Sequence, residues 1–242
     1  MNRLEPVYFA LDFETGKEAM EFLKNHHLRG IPVKVGMELF YREGPGMIHQ
    51  LKEAGHSIFL DLKLHDIPET VRRSMRNLAK LKVDVVNVHA QGGGMMMNAA
   101  RRGLEEGSPE KRPLLLAVTM LTSTDQTMIE KELLLDRPLS EVVEHYGELA
   151  EKNGVDGVVC SVEEAQLIKE YTNLYALTPG IRLEGGVKHD QKRVATPAVA
   201  MEKGSDSIVV GRAIREADDP HAVYQQIKEE FHRDFQHNTR LN

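Results

Sequence analysis

The sequence predicts an α/β protein, a single (β/α)8 TIM barrel that occupies residues 1–242 as one domain. Three observations support this prediction. Eight short apolar runs alternate with amphipathic stretches along the chain. The length of 242 residues is close to the roughly 250 that such barrels commonly need. No linker, low-complexity tract or sequence repeat separates a second domain.

The eight apolar runs are the predicted strands. Most are too short to be helices, and they are rich in Val, Ile and Leu, which is typical of parallel strands buried on both faces. A doubly wound open sheet is the structural alternative that periodicity alone leaves open. The runs are residues 7–13, 32–37, 57–63, 84–90, 113–121, 156–161, 174–182 and 206–212.

The stretches between the runs have helical signals. Thr15 and Glu18 have the spacing of a capping box at the start of the first helix. Asp66 and Glu69 repeat that spacing, and Pro68 lies where an early helical proline costs little. The last helix is predicted from apolar residues at four-residue steps, namely Val223, Ile227, Phe231 and Phe235.

Two connections are longer than a compact barrel needs. They follow the fifth and seventh strands and cover residues 122–138 and 179–197. Long loops within a domain are often lids or binding loops. Both would lie at the carboxyl face of the barrel, where barrel enzymes hold their active sites.

Composition excludes several broad classes of protein. The formal net charge of −6 argues against a generic nucleic-acid binder, which needs a basic surface. No run approaches the about 18 apolar residues of a membrane span, and residues 1–13 lack the pattern of a secretory signal. Cys160 is the only cysteine, so no intrachain disulfide can form. A cytoplasmic location is therefore expected.

Polar side chains stand at the ends of nearly all predicted strands, where packing does not explain them. Taken singly, several have a structural explanation: a helix cap for Asp66, a surface position for Lys34 and a core position for His89. Together they favour a functional site, because random surface charge would not select one rim of a barrel. The set is Asp12, Lys34, Asp61, Lys63, Asp66, His89, Thr122, Ser123, Arg182 and Arg212.

The third strand carries the most informative spacing. Side chains alternate between the faces of a strand, so Asp61 and Lys63 share one face with Phe59. The opposite face is apolar and suits contact with helices, which directs Asp61 and Lys63 toward the mouth of the barrel. A structural ion pair between them is the simpler alternative, since buried charges are usually paired.

The eighth strand ends in a candidate phosphate site. Gly211 permits close backbone approach, and Arg212 supplies a guanidinium at the start of a short predicted helix. Phosphate sites after strands seven and eight are frequent in barrels. Gln191, in the seventh loop, is a further candidate donor.

Residues 59–68, FLDLKLHDIP, followed by Thr70, resemble the signature of the orotidine 5'-phosphate decarboxylase family, whose core is D-x-K-x-x-D. The resemblance covers essentially the whole chain and is closest to its bacterial, Bacillus-like branch. The ordered set of matching segments makes it specific, because related barrel enzymes share D-x-K-x-x-D alone. The segments are residues 10–12, 33–36, 87–90, 121–123, 178–182, 190–191 and 210–212.

The resemblance implies a reaction that needs neither cofactor nor metal, the decarboxylation of orotidine 5'-monophosphate (OMP) to UMP in pyrimidine biosynthesis. Lys63 would protonate C6 of the pyrimidine, Asp61 would stand near the substrate carboxylate, and Lys34 would balance charge and touch the ribose. Asp66 and Thr70 would reach the site of a neighbouring subunit, which implies a homodimer.

The resemblance also implies a set of substrate contacts. Asp12 and Thr70 would bind ribose hydroxyls, and Ser123 would read the edge of the pyrimidine, with Thr122 as a further ligand contact. The phosphate would be held by Gln191, Gly211 and Arg212, with help from Arg182.

Two other functions remain open on the sequence alone. One is a magnesium-dependent sugar-phosphate lyase of the same barrel group, although Phe59 stands where an extra acidic ligand would be expected. The other is a non-catalytic nucleotide-binding protein, against which the intact Lys63 motif argues. A dinucleotide fingerprint and a His/Cys metal cluster are not evident in the sequence.

Overall fold

A computed structural model describes residues 4–183 and 195–232. Its eight strands are all parallel and close into a barrel in chain order, because β1 pairs with β8 as well as with β2. This closure confirms the predicted barrel and excludes the open doubly wound sheet. The strands are β1 Val7–Ala10, β2 Val33–Gly36, β3 Ile58–Leu64, β4 Val85–His89, β5 Leu114–Val118, β6 Gly157–Val159, β7 Tyr175–Thr178 and β8 Ser207–Val210.

Helices follow the strands and cover the outside of the barrel. They are α1 Gly16–Asn25, α2 Met37–Glu43, α3 Pro45–Glu53, α4 Pro68–Ala79, α5 Gly93–Gly107, α6 Gln126–Lys131, α7 Leu139–Lys152, α8 Val162–Tyr171, α9 Pro197–Glu202, α10 Arg212–Arg215 and α11 Pro220–His232. No helix among the described residues is both long enough and apolar enough to cross a bilayer.

One predicted helix cap is confirmed and the other is wrong. Thr15 and Glu18 form the capping box at the start of α1. Before α4, however, the N-cap is Ile67, and Asp66 instead accepts a hydrogen bond from the Ile67 amide at 2.7 Å. Pro68 is the first helical residue, and a proline forces the residue before it into an extended conformation. The cap position is therefore taken by Ile67.

The strands separate two apolar clusters, as their alternating side chains require. Alternate residues such as Ile58, Leu60 and Leu62 pack outward against the helices. The inner cluster fills the barrel axis, so the interior is a packed core, and a cavity opens at the mouth. It contains Leu4, Tyr8, Ala10, Phe59, Val85, Leu114, Leu116, Leu177 and Val209.

Three similar ion pairs close the amino end of the barrel, opposite the mouth. In each, the aspartate directly before an even-numbered strand accepts a backbone N–H from the preceding strand and pairs with a lysine or arginine. Each joins neighbouring strands by side-chain as well as ladder bonds. The sets are Asp84 with Lys52 and the Ile58 amide, Asp156 with Arg112 and the Leu115 amide, and Asp206 with Lys169 and the Ala176 amide.

The two long connections differ from simple loops. The one after β5 contains α6, whose Ile129 is fully buried and accepts a bond from the Leu135 amide, so this segment packs on the barrel. In the one after β7, Ile181 pairs with Ala195, which brings together the chain on either side of residues 184–194. Those residues lie outside the described part of the chain.

Candidate active site

A cavity opens at the carboxyl ends of the strands and gathers most of the predicted residues. Its floor is apolar and comes from the top of the inner cluster, including Phe59, Leu177 and Val209. Its charged and polar wall comes from strands and loops all round the barrel. The predicted residues that line it are Asp12, Lys34, Asp61, Lys63, Thr122, Arg182, Gly211 and Arg212.

Lys63 and Asp61 form the central contact of the site. The Lys63 Nζ donates to Asp61 Oδ1 at 2.6 Å, and both side chains are largely shielded from solvent. Asn87, from β4, donates through Nδ2 to the same Oδ1 at 2.7 Å. The carboxylate is therefore held from two directions, and the ammonium is fixed by the carboxylate.

The backbone at Lys63 departs from a regular strand. Its φ is +50°, in the left-handed region that side chains other than glycine rarely adopt. The pairing of β3 with β4 shifts here, since Leu60 lies opposite Val86 but Leu64 lies opposite Val88. Such bulges redirect side chains near functional sites, and this one lies at the residue that carries the ammonium.

Lys34 and Asp12 form a second lysine–aspartate pair in the cavity. Lys34 is 8% exposed and donates to Asp12 Oδ1 at 2.7 Å, so it is not a surface lysine. Gly36 makes room for it: a Cβ at Gly36 would lie 3.1 Å from the Lys34 Nζ. A larger residue at this position would displace the ammonium.

The loop that carries Asp12 is tied to the end of β8. Arg215, in α10, donates to the Asp12 carbonyl, and its guanidinium lies 6.0 Å from the ring centroid of Phe13. Gly211 approaches the same loop, because a Cβ there would lie 3.5 Å from Asp12 Oδ2. The candidate phosphate end and the Lys34–Asp12 pair are thus in one connected structure.

The residues expected to hold phosphate converge only in part within the described chain. Arg212 begins α10, two residues beyond the end of β8. Arg182 lies four residues beyond β7, and its Nη1 donates to the Ile181 carbonyl at 2.8 Å. Both line the cavity with Gly211. Gln191 lies outside the described residues.

Three predicted residues are not brought into the cavity of the single chain. Asp66 and Thr70 are exposed, one before α4 and one within its first turn. Ser123 is also exposed, and it lies with Thr122 in the loop beyond β5 instead of at the strand end expected from the sequence. The strand is shorter because its ladder with β6 ends at Val118.

His89, at the end of β4, faces a second imidazole outside the cavity wall. Its ring lies 5.7 Å from that of His65. Burial lowers the pKa of His89, and the charges of His65 and Lys63 lower it further. The neutral form is therefore favoured, which avoids a second cation close to Lys63.

Two residues that shape the site were not predicted from the sequence. Asn87 is an amide between two valines in the middle of β4, which is a detectable signal because a buried polar group needs partners. Gly36 has no such signal, since its role depends on where the Lys34 side chain ends. No group of three or more His, Cys, Asp or Glu side chains suited to a metal occurs within residues 4–183 and 195–232.

This arrangement can stabilise negative charge and deliver a proton at one place. A fixed ammonium beside a carboxylate, over an apolar floor, acts on charge more strongly than it would in water. Guanidinium groups elsewhere on the wall suit a phosphate. The cavity thus suits an anionic ligand.

The chain is similar to proteins of one named family over nearly its whole length. The model of the "Orotidine 5'-phosphate decarboxylase / HUMPS family" matches residues 5–227. A Bacillus pumilus protein named orotidine 5'-phosphate decarboxylase is 54% identical over 92% of this chain and 97% of its own length. One of that name from a Geobacillus species is 51% identical over 94% and 97%. The crystal structure of the Lactobacillus acidophilus decarboxylase has 41% identity and a TM-score of 0.83, covering 95% of this chain and all of that one.

Proposed function

Since this chain belongs to the orotidine 5'-phosphate decarboxylase family, we propose the following account of how it converts OMP to UMP and carbon dioxide, the last step of de novo pyrimidine biosynthesis. The observation that carries the account is the Lys63 ammonium, held 2.6 Å from Asp61 at the mouth of the barrel. The whole chain acts as one catalytic domain.

Lys63 is the acid of the reaction. The bond from C6 to the carboxylate breaks, its electron pair stays on C6, and Lys63 donates a proton there from Nζ. The ring offers no conjugated sink for this charge, so a positioned cation has to stabilise it. Lys63 then regains a proton from solvent. Its contact with Asp61 supports the role, because an ammonium fixed in advance needs no reorganisation.

Asp61 and the second ion pair set the field around the reacting carbon. Asp61 stands near the substrate carboxylate, where the repulsion between the two is relieved as carbon dioxide departs. Lys34 balances this charge and contacts the ribose, together with its partner Asp12. The burial of Lys34 supports this role, because its charge is little screened by water.

The substrate's phosphate is bound far from the reacting carbon, by Gly211 and Arg212, with Arg182 and Gln191 as additional donors. Binding energy from this end orients the ring over Lys63 and draws the surrounding loops closed. Thr122 and Ser123 contact the pyrimidine. The presence of Arg182 and Arg212 on one cavity wall supports this assignment.

The enzyme is a homodimer in which Asp66 and Thr70 enter the partner's site. Both are exposed in the single chain and flank Ile67, itself 67% exposed. Other exposed apolar side chains follow the neighbouring strands β2 and β4: Met37, Tyr41 and Met95. Apolar groups clustered on one sector of a rim are typical of subunit interfaces.

Mixing two inactive variants tests the shared site. Lys63→Ala and Asp66→Asn homodimers, unfolded and refolded together, form hybrids with one unmodified site if Asp66 acts across the interface. About a quarter of wild-type activity should then return, from random assortment into symmetric dimers. If the mixture stays as inactive as its parents, Asp66 acts within its own chain. The Asp66→Asn homodimer is assayed alone first, and it is expected to have lost activity.

The location proposed for the enzyme is the cytoplasm, in keeping with a chain that has one cysteine and no intrachain disulfide. Neither nucleic acid nor membrane is a partner in this account.

The decisive assay follows the absorbance of OMP with purified protein, in the presence and absence of EDTA. Turnover that is unchanged by EDTA is expected. Absence of turnover would refute the proposed function, and loss of activity with EDTA would instead indicate a metal-dependent reaction.

A further inference from the structure

We infer that Asn87 is a positioning residue for the decarboxylation: its side-chain amide fixes both Asp61 and the backbone of Lys63, and so aims the Lys63 ammonium. This inference rests on the proposed function, because it concerns the same reaction. It assigns to the fourth strand a part in catalysis that involves no contact with the substrate.

Asn87 is buried where an amide without hydrogen-bond partners would destabilise the fold. Asn87 is 1% exposed in the middle of β4, on the face that turns inward with Val85. Its neighbours Val86 and Val88 belong to the outer cluster. An apolar side chain would satisfy packing at such a site, whereas a buried amide without partners would destabilise the fold by about 1–3 kcal/mol.

The Asn87 amide nitrogen bonds to Asp61, and the amide oxygen bonds to Lys63. Nδ2 donates to Asp61 Oδ1 at 2.7 Å, and Oδ1 accepts from the Lys63 backbone amide at 2.8 Å. The orientation is chemically unambiguous, since a backbone N–H can only donate and a carboxylate can only accept. One side chain therefore fixes the relative position of residues 61 and 63.

The bond to the Lys63 backbone stabilises the irregular backbone of β3 at that residue. The β3–β4 pairing shifts at this point, so the Lys63 N–H is directed away from the regular ladder. The left-handed φ of +50° adds a strain of about 1–3 kcal/mol that surrounding contacts have to offset. The Asn87 carbonyl accepts that N–H, which holds the bulge and with it the direction of the lysine side chain.

The bond to Asp61 has a complementary effect. Asp61 Oδ1 receives both the Asn87 amide and the Lys63 ammonium. The three groups form a closed ring of contacts through the backbone of residues 61–63. Without the amide, the carboxylate and the ammonium could move together out of the productive geometry, and a displacement of about 1 Å can lower the rate about 100-fold.

The experiment compares Asn87→Ala, Asn87→Asp and a matched control, Ser207→Ala. Ser207 is equally buried on a barrel strand and donates to the Glu5 carbonyl at 2.7 Å, but at the amino end. Asn87→Ala is expected to lower kcat about 100-fold while the Kd for UMP changes less than about threefold. Ser207→Ala is expected to lower Tm and leave both constants unchanged.

Asn87→Asp gives a signature that a merely structural bond would not give. It keeps an acceptor for the Lys63 amide but places a second carboxyl beside Asp61. Two adjacent carboxylates resist ionising together, so the pair takes up a proton as the pH falls, and an O–H then replaces the lost donor. Relative to wild type, kcat should be about 100-fold lower at pH 8 and should recover about tenfold by pH 5.5.

The inference is overturned if Asn87→Ala keeps kcat within threefold of wild type, or if kcat and UMP affinity fall in parallel. A pH profile of Asn87→Asp that runs parallel to wild type also overturns it, and this variant carries the test if Asn87→Ala does not fold. If the proposed function itself were wrong, the unmodified chain would have no decarboxylase activity, which distinguishes that outcome from failure of the inference about Asn87.

Discussion

Replacing Lys63 by alanine removes the charge and the proton donor that the proposed mechanism requires, while leaving the proposed phosphate end intact. The Lys63 Nζ has Asp61 as a partner at 2.6 Å, and the side chain is 23% exposed. Losing one preorganised donor at a developing charge costs about 3–4 kcal/mol, or 10²- to 10³-fold in rate. Losing the general acid costs a further 10²- to 10⁴-fold or so.

Together these effects lower kcat/KM by roughly 10⁴- to 10⁷-fold in Lys63→Ala. The Kd for UMP should change by less than about tenfold, because the proposed phosphate and ribose contacts remain. Stopped-flow or long-time absorbance measurements with OMP give the first quantity, and titration with UMP gives the second.

Lys52→Ala is the matched control. Lys52 pairs with Asp84 at 2.9 Å and is shielded to a similar degree, but this pair closes the opposite end of the barrel. Its loss should lower stability and leave kcat/KM unchanged. The reasoning is refuted if Lys63→Ala retains activity within tenfold of wild type, or if Lys52→Ala loses as much activity as Lys63→Ala.

Three further predictions concern other parts of the molecule. Arg212→Ala should lower kcat/KM about 10- to 150-fold by removing the charged bond proposed to hold the phosphate, and near wild-type efficiency would contradict that role. Asp156→Ala should lower the free energy of unfolding by about 2–4 kcal/mol, because Arg112 loses both of its bonds to this carboxylate; a urea-unfolding change below about 0.5 kcal/mol would contradict this. Burial lowers the pKa of His56, so the unfolded chain binds more protons and stability should fall as the pH drops below about 6.5. His56→Gln, which keeps a donor for the Ile31 carbonyl, should flatten this dependence by up to about 1.4 kcal/mol per pH unit, and equal slopes would refute the assignment.

The barrel was predictable because parallel strands buried on both faces leave a strong apolar signal. The predicted runs overran the strands at their carboxyl ends, as in residues 113–121 against β5 at Leu114–Val118. The chain there leaves the ladder to form the mouth, and apolar residues such as Met120 remain buried beyond the last backbone pair. Composition alone does not distinguish an apolar residue within a strand from one that is buried just beyond the end of the strand.

The site was predictable where one residue's position follows from strand alternation, and not where it depends on backbone detail. Asp61 and Lys63 lie on the inner face, as their spacing with Phe59 predicts. The left-handed conformation of Lys63 was not predictable, because it arises from the register shift against β4. The cap assigned to Asp66 was wrong because Pro68 moves the helix start by one residue.

A crystal structure of the protein with UMP bound tests the central claim most directly. We expect C6 of the pyrimidine to face the Lys63 Nζ at about 3–3.5 Å, the distance of a near-attack contact, with the phosphate against Arg212. UMP bound elsewhere, or Lys63 turned into bulk solvent away from Asp61, would contradict it.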